Sequence, residues 1–221
     1  MTVTASALLF DLDGVLVDST PVITRIWEQW ATEHGFEPVK TAREAHGRPS
    51  LESIRELLPD ADHEALNRDL EQREIDDTDG VVPVRGSVEL LASLPPDRWA
   101  LVTSCGRALA EARVQAGGHA IPRNMVTFND VKNGKPDPEP FLLGAHILGF
   151  NIADCIVVED APAGIRSGKA AGARVIALRS TTTDEELRAE GPDWILNDLS
   201  EIKASFDSNT SVLRLDLALP D

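Results

Sequence analysis

Two short acidic segments each follow an apolar run: Asp11-Leu12-Asp13-Gly14 after Ala7-Leu8-Leu9-Phe10, and Glu159-Asp160 after Cys155-Ile156-Val157-Val158. Carboxylates are hard oxygen donors of the kind magnesium takes together with water or substrate oxygens. In extended chain Asp11 and Asp13 would face opposite ways, but a turn at Gly14 can bring the Asp11 side chain and the Asp13 backbone carbonyl to one cation. A plainer reading stands beside this one. Aspartate favours turns, and Asp160 shortly before Pro162 suits an ordinary helix start. If the two apolar runs are neighbouring strands, the acids converge, and converging carboxylates call for a cation to offset their repulsion.

Two further segments carry groups that can hold an anion. Thr103-Ser104 ends a third apolar run and precedes Gly106 and a helical pattern, so hydroxyls and free backbone N–H groups meet at a helix start. An unliganded serine cap explains the same pattern. Lys135 stands in Asn133-Gly134-Lys135-Pro136-Asp137-Pro138, a loop stiffened by prolines that can fix an ammonium over a phosphate or leave it solvated at the surface.

The elements that must position these groups follow from periodicity. Ala7–Phe10 is a continuous apolar run of the kind buried on both faces of a parallel sheet. Ser19, Thr20 and Pro21 supply a helix start, and Ile23, Ile26, Trp27, Trp30 and Ala31 recur at helical spacing. Two or three more helices fit between about residues 41 and 79. Strands are expected at 99–103, 125–128, 155–158 and 174–178, with helices at 106–117, 138–148 and 161–171. The alternation predicts an α/β fold with a doubly wound parallel sheet, interrupted after its first strand by a helical cap, and active groups at the carboxyl ends of the strands. The tail from Leu213 to Leu219 alternates like an edge strand, which fits either an added strand or a dimer contact.

The four segments in this order resemble the motifs of the haloacid dehalogenase superfamily: Asp11-Leu12-Asp13-Gly14-Val15-Leu16-Val17-Asp18-Ser19, then Thr103-Ser104, Lys135 and Glu159-Asp160. The resemblance covers about residues 7–197. It implies a Rossmann-like core formed by 1–17 and 85–221, with a helical cap domain at 18–84. It also implies that Asp11 is the nucleophile, Asp13 the general acid and base, and that Thr103, Ser104 and Lys135 bind phosphate. Asp11, Asp160 and the carbonyl of Asp13 would hold Mg2+, with Glu159 behind them or as an additional ligand.

The segments 158–165 and 134–140 are similar to the branch of glycerol-3-phosphatases, 2-deoxyglucose-6-phosphatases and other sugar phosphatases, next to beta-phosphoglucomutase. The resemblance therefore implies hydrolysis of a small sugar or polyol phosphate through an aspartyl-phosphate. Phosphomutase chemistry is the alternative, and a noncatalytic phosphate-binding protein a third reading. The mutase has a histidine shortly after its first motif where this chain has Ile23, and dehalogenases lack the aspartate that stands here as Asp13. For selection of the leaving group, His46-Gly47-Arg48 in the cap offers a ring, a flexible glycine and a cation in one loop; a helix-connecting turn is the simpler account.

Composition narrows the partners. Among 221 residues, 37 acids against 21 lysines and arginines leave a net charge of −16, which opposes binding to nucleic acid or anionic membranes and favours a small substrate. Two cysteines without zinc-like spacing suit a reducing compartment, and the first apolar run is broken by acids, so a cytoplasmic protein, monomeric or homodimeric, is expected. No Gly-rich loop ending in Gly-Lys-Ser/Thr supports a nucleotide-driven kinase.

Overall fold

The computed structural model describes residues 1–45, 49–208 and 210–218. Its centre is a six-stranded sheet in the order β6-β5-β2-β7-β8-β9, with every neighbouring pair parallel. The strands are β2 (Ala7–Phe10), β5 (Trp99–Val102), β6 (Met125–Val126), β7 (Cys155–Glu159), β8 (Arg174–Leu178) and β9 (Trp194–Leu196). All four residues of β2 and all five of β7 are buried, which explains why these segments read as unbroken apolar runs rather than alternating ones.

Alternation survives in the packing. Leu8 and Phe10 join one core cluster with Leu101, Ile156 and Val158, while Ala7 and Leu9 join the other with Val102 and Val157. The first cluster takes in Leu90 of α5 (Ser87–Ser93) and Ala110 and Val114 of α6 (Arg107–Ala116). The second takes in Phe141 of α7 (Glu139–Leu148), Ile165 of α8 (Pro162–Ala171) and Leu187 of α9 (Asp184–Ala189). Helices thus cover both faces, as the doubly wound reading requires.

The chain leaves this sheet through β3 (Val17–Asp18) and returns through β4 (Val82–Pro83), which pair antiparallel with Asp18 opposite Val82. Between them lie, among the described residues, four helices: α1 (Thr20–Glu33), α2 (Pro38–Ala45), α3 (Ser50–Leu57) and α4 (His63–Asp76). Val82–Pro83 is therefore the second leg of a two-strand neck. His46, Gly47 and Arg48 lie outside the described residues. Among the described residues no helix is long and apolar enough to cross a membrane.

A separate antiparallel sheet was not foreseen. It has the order β1-β11-β10, formed by Thr2–Ala5, Val212–Leu217 and Ile202–Asp207. The tail strand β11 is the middle strand, not an edge strand: Thr2 pairs with Asp216 on one side and Lys203 pairs with Asp216 on the other. Alternation reports only that one face is buried, and Leu213, Leu215 and Leu217 do face the core while Arg214 and Asp216 face out. Whether a strand is central depends on partners elsewhere in the chain, here some two hundred residues away at the N-terminus.

Because Leu215 is fully buried in that middle strand and belongs to the larger core cluster, truncating it leaves a cavity in the core. Leu215→Ala should lower unfolding stability by about 2–5 kcal/mol in a denaturant titration, and a loss under about 0.5 kcal/mol would show that the tail sheet is not part of the cooperative core.

Candidate active site

Asp11 follows β2, the strand at which the topology switches direction, since β5 lies on one side of it and β7 on the other. Phe10 is level with Leu101 and with Val158, so the residues just beyond them come out side by side at the carboxyl edge. The Asp11 amide donates to the Val158 carbonyl at 3.0 Å, extending the ladder one residue past the strand and fixing where its side chain starts. Ligands of open α/β sheets gather in this crevice.

Carboxylate oxygens of Asp11, Glu159 and Asp160, all buried, lie within 4.8 Å of one another. Lys135, on the loop between β6 and α7, reaches into the cluster: its Nζ donates to Asp11 Oδ1 at 2.6 Å, to Glu159 Oε1 at 2.7 Å and to the Val102 carbonyl at 2.9 Å. Glu159 is further held through Oε2, which accepts from the amides of Asp160 at 2.9 Å and Ala161 at 3.1 Å. Asp160 accepts from the hydroxyls of Ser180, at 3.1 Å, and Thr181.

Two glycines make this crowding sterically feasible. A Cβ on Gly14, whose φ is +78°, would sit 2.0 Å from Asp160 Oδ2, and one on Gly164 would sit 1.7 Å from Glu159 Oε1. Gly14 therefore serves both the left-handed turn and the close approach of Asp160.

The charges do not balance within the cluster: three carboxylates meet one ammonium. Burial, followed by repulsion from Glu159 and Asp13, pushes the Asp11 carboxyl up to about 7 in spite of the pull of Lys135. Burial and the charges of Glu159 and Asp11 likewise hold Asp160 well above the usual carboxylate range. Although burial alone would lower it, Lys135 is carried above its ordinary value by Asp11 and Glu159. A set of hard oxygen donors with two uncompensated negative charges fits a divalent cation such as Mg2+ in donor type and in charge.

Thr103 and Ser104 follow β5 and line the same cavity as Asp11, Asp13, Lys135, Glu159 and Asp160. The structure thus brings together every core residue singled out from the sequence. Over them lie Ile23 and Trp27 of α1, Ala45, Pro49 and Ser50, and Glu71 and Glu74 of α4. His46, Gly47 and Arg48, singled out for the leaving group, fall outside the described residues, although their neighbours Ala45 and Pro49 line the cavity.

Several site residues were not foreseen. Arg113 on α6 is 3% exposed and bonds both Asp13 and Glu74 at 2.8 Å. A signal existed: Leu109, Ala110 and Val114 mark the buried face of α6, and Arg113 shares it. Cys105, the residue after Ser104, donates from Sγ to Asp13 Oδ2 at 3.2 Å. Burial, then the charge of Asp13, raises its thiol well above the ordinary value, so it is held as a neutral thiol and not as a nucleophile.

The sequence profile of the haloacid dehalogenase-like hydrolases matches residues 5–172. Among characterised proteins, the chain is 39% identical to hexitol phosphatase A of Escherichia coli, over 93% of this chain and 96% of that one. It is 33% identical to glycerol-1-phosphate phosphohydrolase 2 of Saccharomyces cerevisiae, over 90% and 84%. In fold it is similar to the beta-phosphoglucomutase of Clostridium difficile, with a TM-score of 0.77 over 90% of this chain and 93% of that one; their identity is 21%. On its sequence as on its architecture, the chain belongs to the haloacid dehalogenase-like hydrolases.

Proposed function

We propose that this protein hydrolyses phosphate monoesters of small sugars or polyols through an aspartyl-phosphate on Asp11, with Mg2+ as its cofactor. The observation that carries the reading is the Asp11 carboxylate at the floor of a cavity, bonded by Lys135 at 2.6 Å, with the Thr103–Ser104 segment and the Asp13 carboxylate lining the same space. The named activities of the two phosphatases similar to this chain support the same class of substrate.

In this reading an Asp11 oxygen attacks phosphorus while the bond from phosphorus to the ester oxygen breaks. Asp13 gives its proton to the departing alkoxide, so the alcohol leaves neutral. A water then attacks the aspartyl-phosphate and passes a proton to Asp13. The bond between phosphorus and the Asp11 oxygen breaks, returning the carboxylate and releasing inorganic phosphate. Lys135 and Ser104 bind the phosphoryl oxygens, and Thr103, whose Oγ1 accepts from the Cys105 amide at 3.1 Å, shapes the loop that presents Ser104. Asp11, Asp160 and the Asp13 carbonyl would hold Mg2+, which supplies charge neutralisation for the phosphoryl group. Glu159, committed to Lys135 and two amides, orients the lysine.

Residues 18–84 act as the cap that selects the leaving group. The residue types of His46, Gly47 and Arg48, a ring, a glycine and a cation, carry the assignment of that selection to them. Ile23 in the same wall is apolar, which favours hydrolysis over phosphoryl transfer back to a sugar.

The first test is phosphate release across a panel of sugar and polyol phosphates, with Mg2+ or chelator. Release should require Mg2+, and Asp11→Asn should abolish it while leaving the circular dichroism and melting profile of the folded chain; full activity in that variant would sink the covalent mechanism. A binding test does not depend on turnover. Mg2+ at a hundred times its dissociation constant should raise unfolding stability by about 2.7 kcal/mol in thermal or chemical denaturation. Asp160→Asn should lose most of that gain, and a wild type unmoved by Mg2+ would remove the ion from the reading.

A further inference from the structure

Asp13 is held on both of its oxygens. Oδ1 accepts from the Ser19 hydroxyl at 2.5 Å, and Oδ2 accepts from Arg113 Nη1 at 2.8 Å and from Cys105 Sγ at 3.2 Å. The other terminal nitrogen of Arg113, Nη2, donates to Glu74 Oε2 at 2.8 Å, and Nη1 also approaches Cys105 Sγ at 3.2 Å. Glu74 belongs to α4, among the inserted helices, while Arg113 belongs to α6 of the sheet layer. The side chains of Arg113 and Glu74 are 4% and 6% exposed.

This pair is costly to bury, and the cost is not fully offset locally. Arg113 Nε is buried without a hydrogen-bond partner, so the guanidinium sits where the two carboxylates require it and not where its own donors are best satisfied. A planar fork with fixed donor directions can bridge two carboxylates at a set separation, which a lysine ammonium cannot do. Glu74 also offsets the guanidinium charge, so Asp13 is oriented by a nearly neutral pair instead of facing a lone cation.

We propose that Arg113, braced by Glu74, is a positioning residue that fixes the Asp13 carboxyl for proton delivery to the leaving oxygen. The proposal rests on the aspartyl-phosphate reading given above. Its consequence is that the inserted helix α4 contributes to the chemical step through Glu74 as well as walling the cavity. Arg113 acts through Asp13, not on the phosphoryl group, so its loss should matter in proportion to how badly the leaving group needs a proton.

The test compares leaving groups under single-turnover conditions with enzyme in excess, using Arg113→Met and the double variant Arg113→Met with Glu74→Gln. The double variant removes both buried charges together and guards against misfolding from a stranded carboxylate. The substrates are glycerol 1-phosphate or a hexitol phosphate, whichever the wild type turns over, and p-nitrophenyl phosphate, whose phenolate departs without protonation. Alcohol release from the alkyl ester should slow by about thirtyfold or more with the half-saturating enzyme concentration within about twofold, whereas p-nitrophenol release in the first turnover should slow by less than about threefold. Equal slowing with both leaving groups in the folded double variant, or an unchanged alkyl rate, would overturn the proposal. A wild type that releases phosphate from no ester would instead overturn the function proposed above.

Discussion

Burying like charges side by side is the constraint on which this site depends. Neighbouring strands of a parallel sheet lie about 4.8 Å apart, so acids at the same level on adjacent strands are forced into contact distance whether or not that is favourable. Asp11 after β2 and Glu159 at the end of β7 meet this way, and Asp160 adds a third carboxylate. Much of the surrounding structure serves to make that meeting tolerable. Lys135 crosses from a distant loop to bond two of the acids, backbone amides at the start of α8 take the free oxygen of Glu159, and two hydroxyls hold Asp160.

The steric side of the same constraint explains residues with no chemistry of their own. Gly14 and Gly164 each stand where a side chain would overlap a carboxylate of the cluster. Phe141 packs beneath the Lys135 ammonium, 4.9 Å from Nζ to the ring centre, giving the buried cation a further favourable neighbour. The sheet therefore sets the spacing, the glycines clear the space, and Lys135 offsets part of the charge.

The core of this arrangement was legible in the sequence because it is built from local signals. Continuous apolar runs mark buried parallel strands, and a motif residue directly after such a run falls at a strand end by construction; Asp11, Thr103 and Asp160 were all found in this way. The strand at Arg174–Leu178 and the helices α6, α7 and α8 were likewise read to within a residue or two, whereas α5 and α9 were not read at all. The three-stranded sheet was not: β10 and β11 form a local hairpin, but β1 finds its partner β11 across nearly the whole chain, and no local pattern encodes that pairing. Alternation in β11 gave its buried face correctly and said nothing about its neighbours. Arg113 and Glu74 were missed for a related reason: each stands on a separate helix, and only the packing of α4 on α6 turns an isolated arginine and an isolated glutamate into a bridge to Asp13.

The strong negative charge of the chain and the anionic substrate proposed for it are compatible once distance is considered. At physiological ionic strength the field of exposed charges is screened over about 8 Å, so the many surface acids contribute little in a crevice whose groups are buried. There the balance is local. Arg113 meets Asp13 and Glu74, so its charge is already taken up within the network beside the cavity. Lys135 faces the cluster of Asp11, Glu159 and Asp160 and leaves it negative. A phosphate dianion can enter such a site only with positive charge of its own to meet it. A divalent cation meets that need, and it would favour the ionised acids against the burial that raises Asp11 and Asp160. Cation and phosphate dianion together would add no net charge to the crevice, so on charge alone their binding would be cooperative. The acidic cluster that would repel a bare phosphate would then make the cation's arrival the condition for binding it.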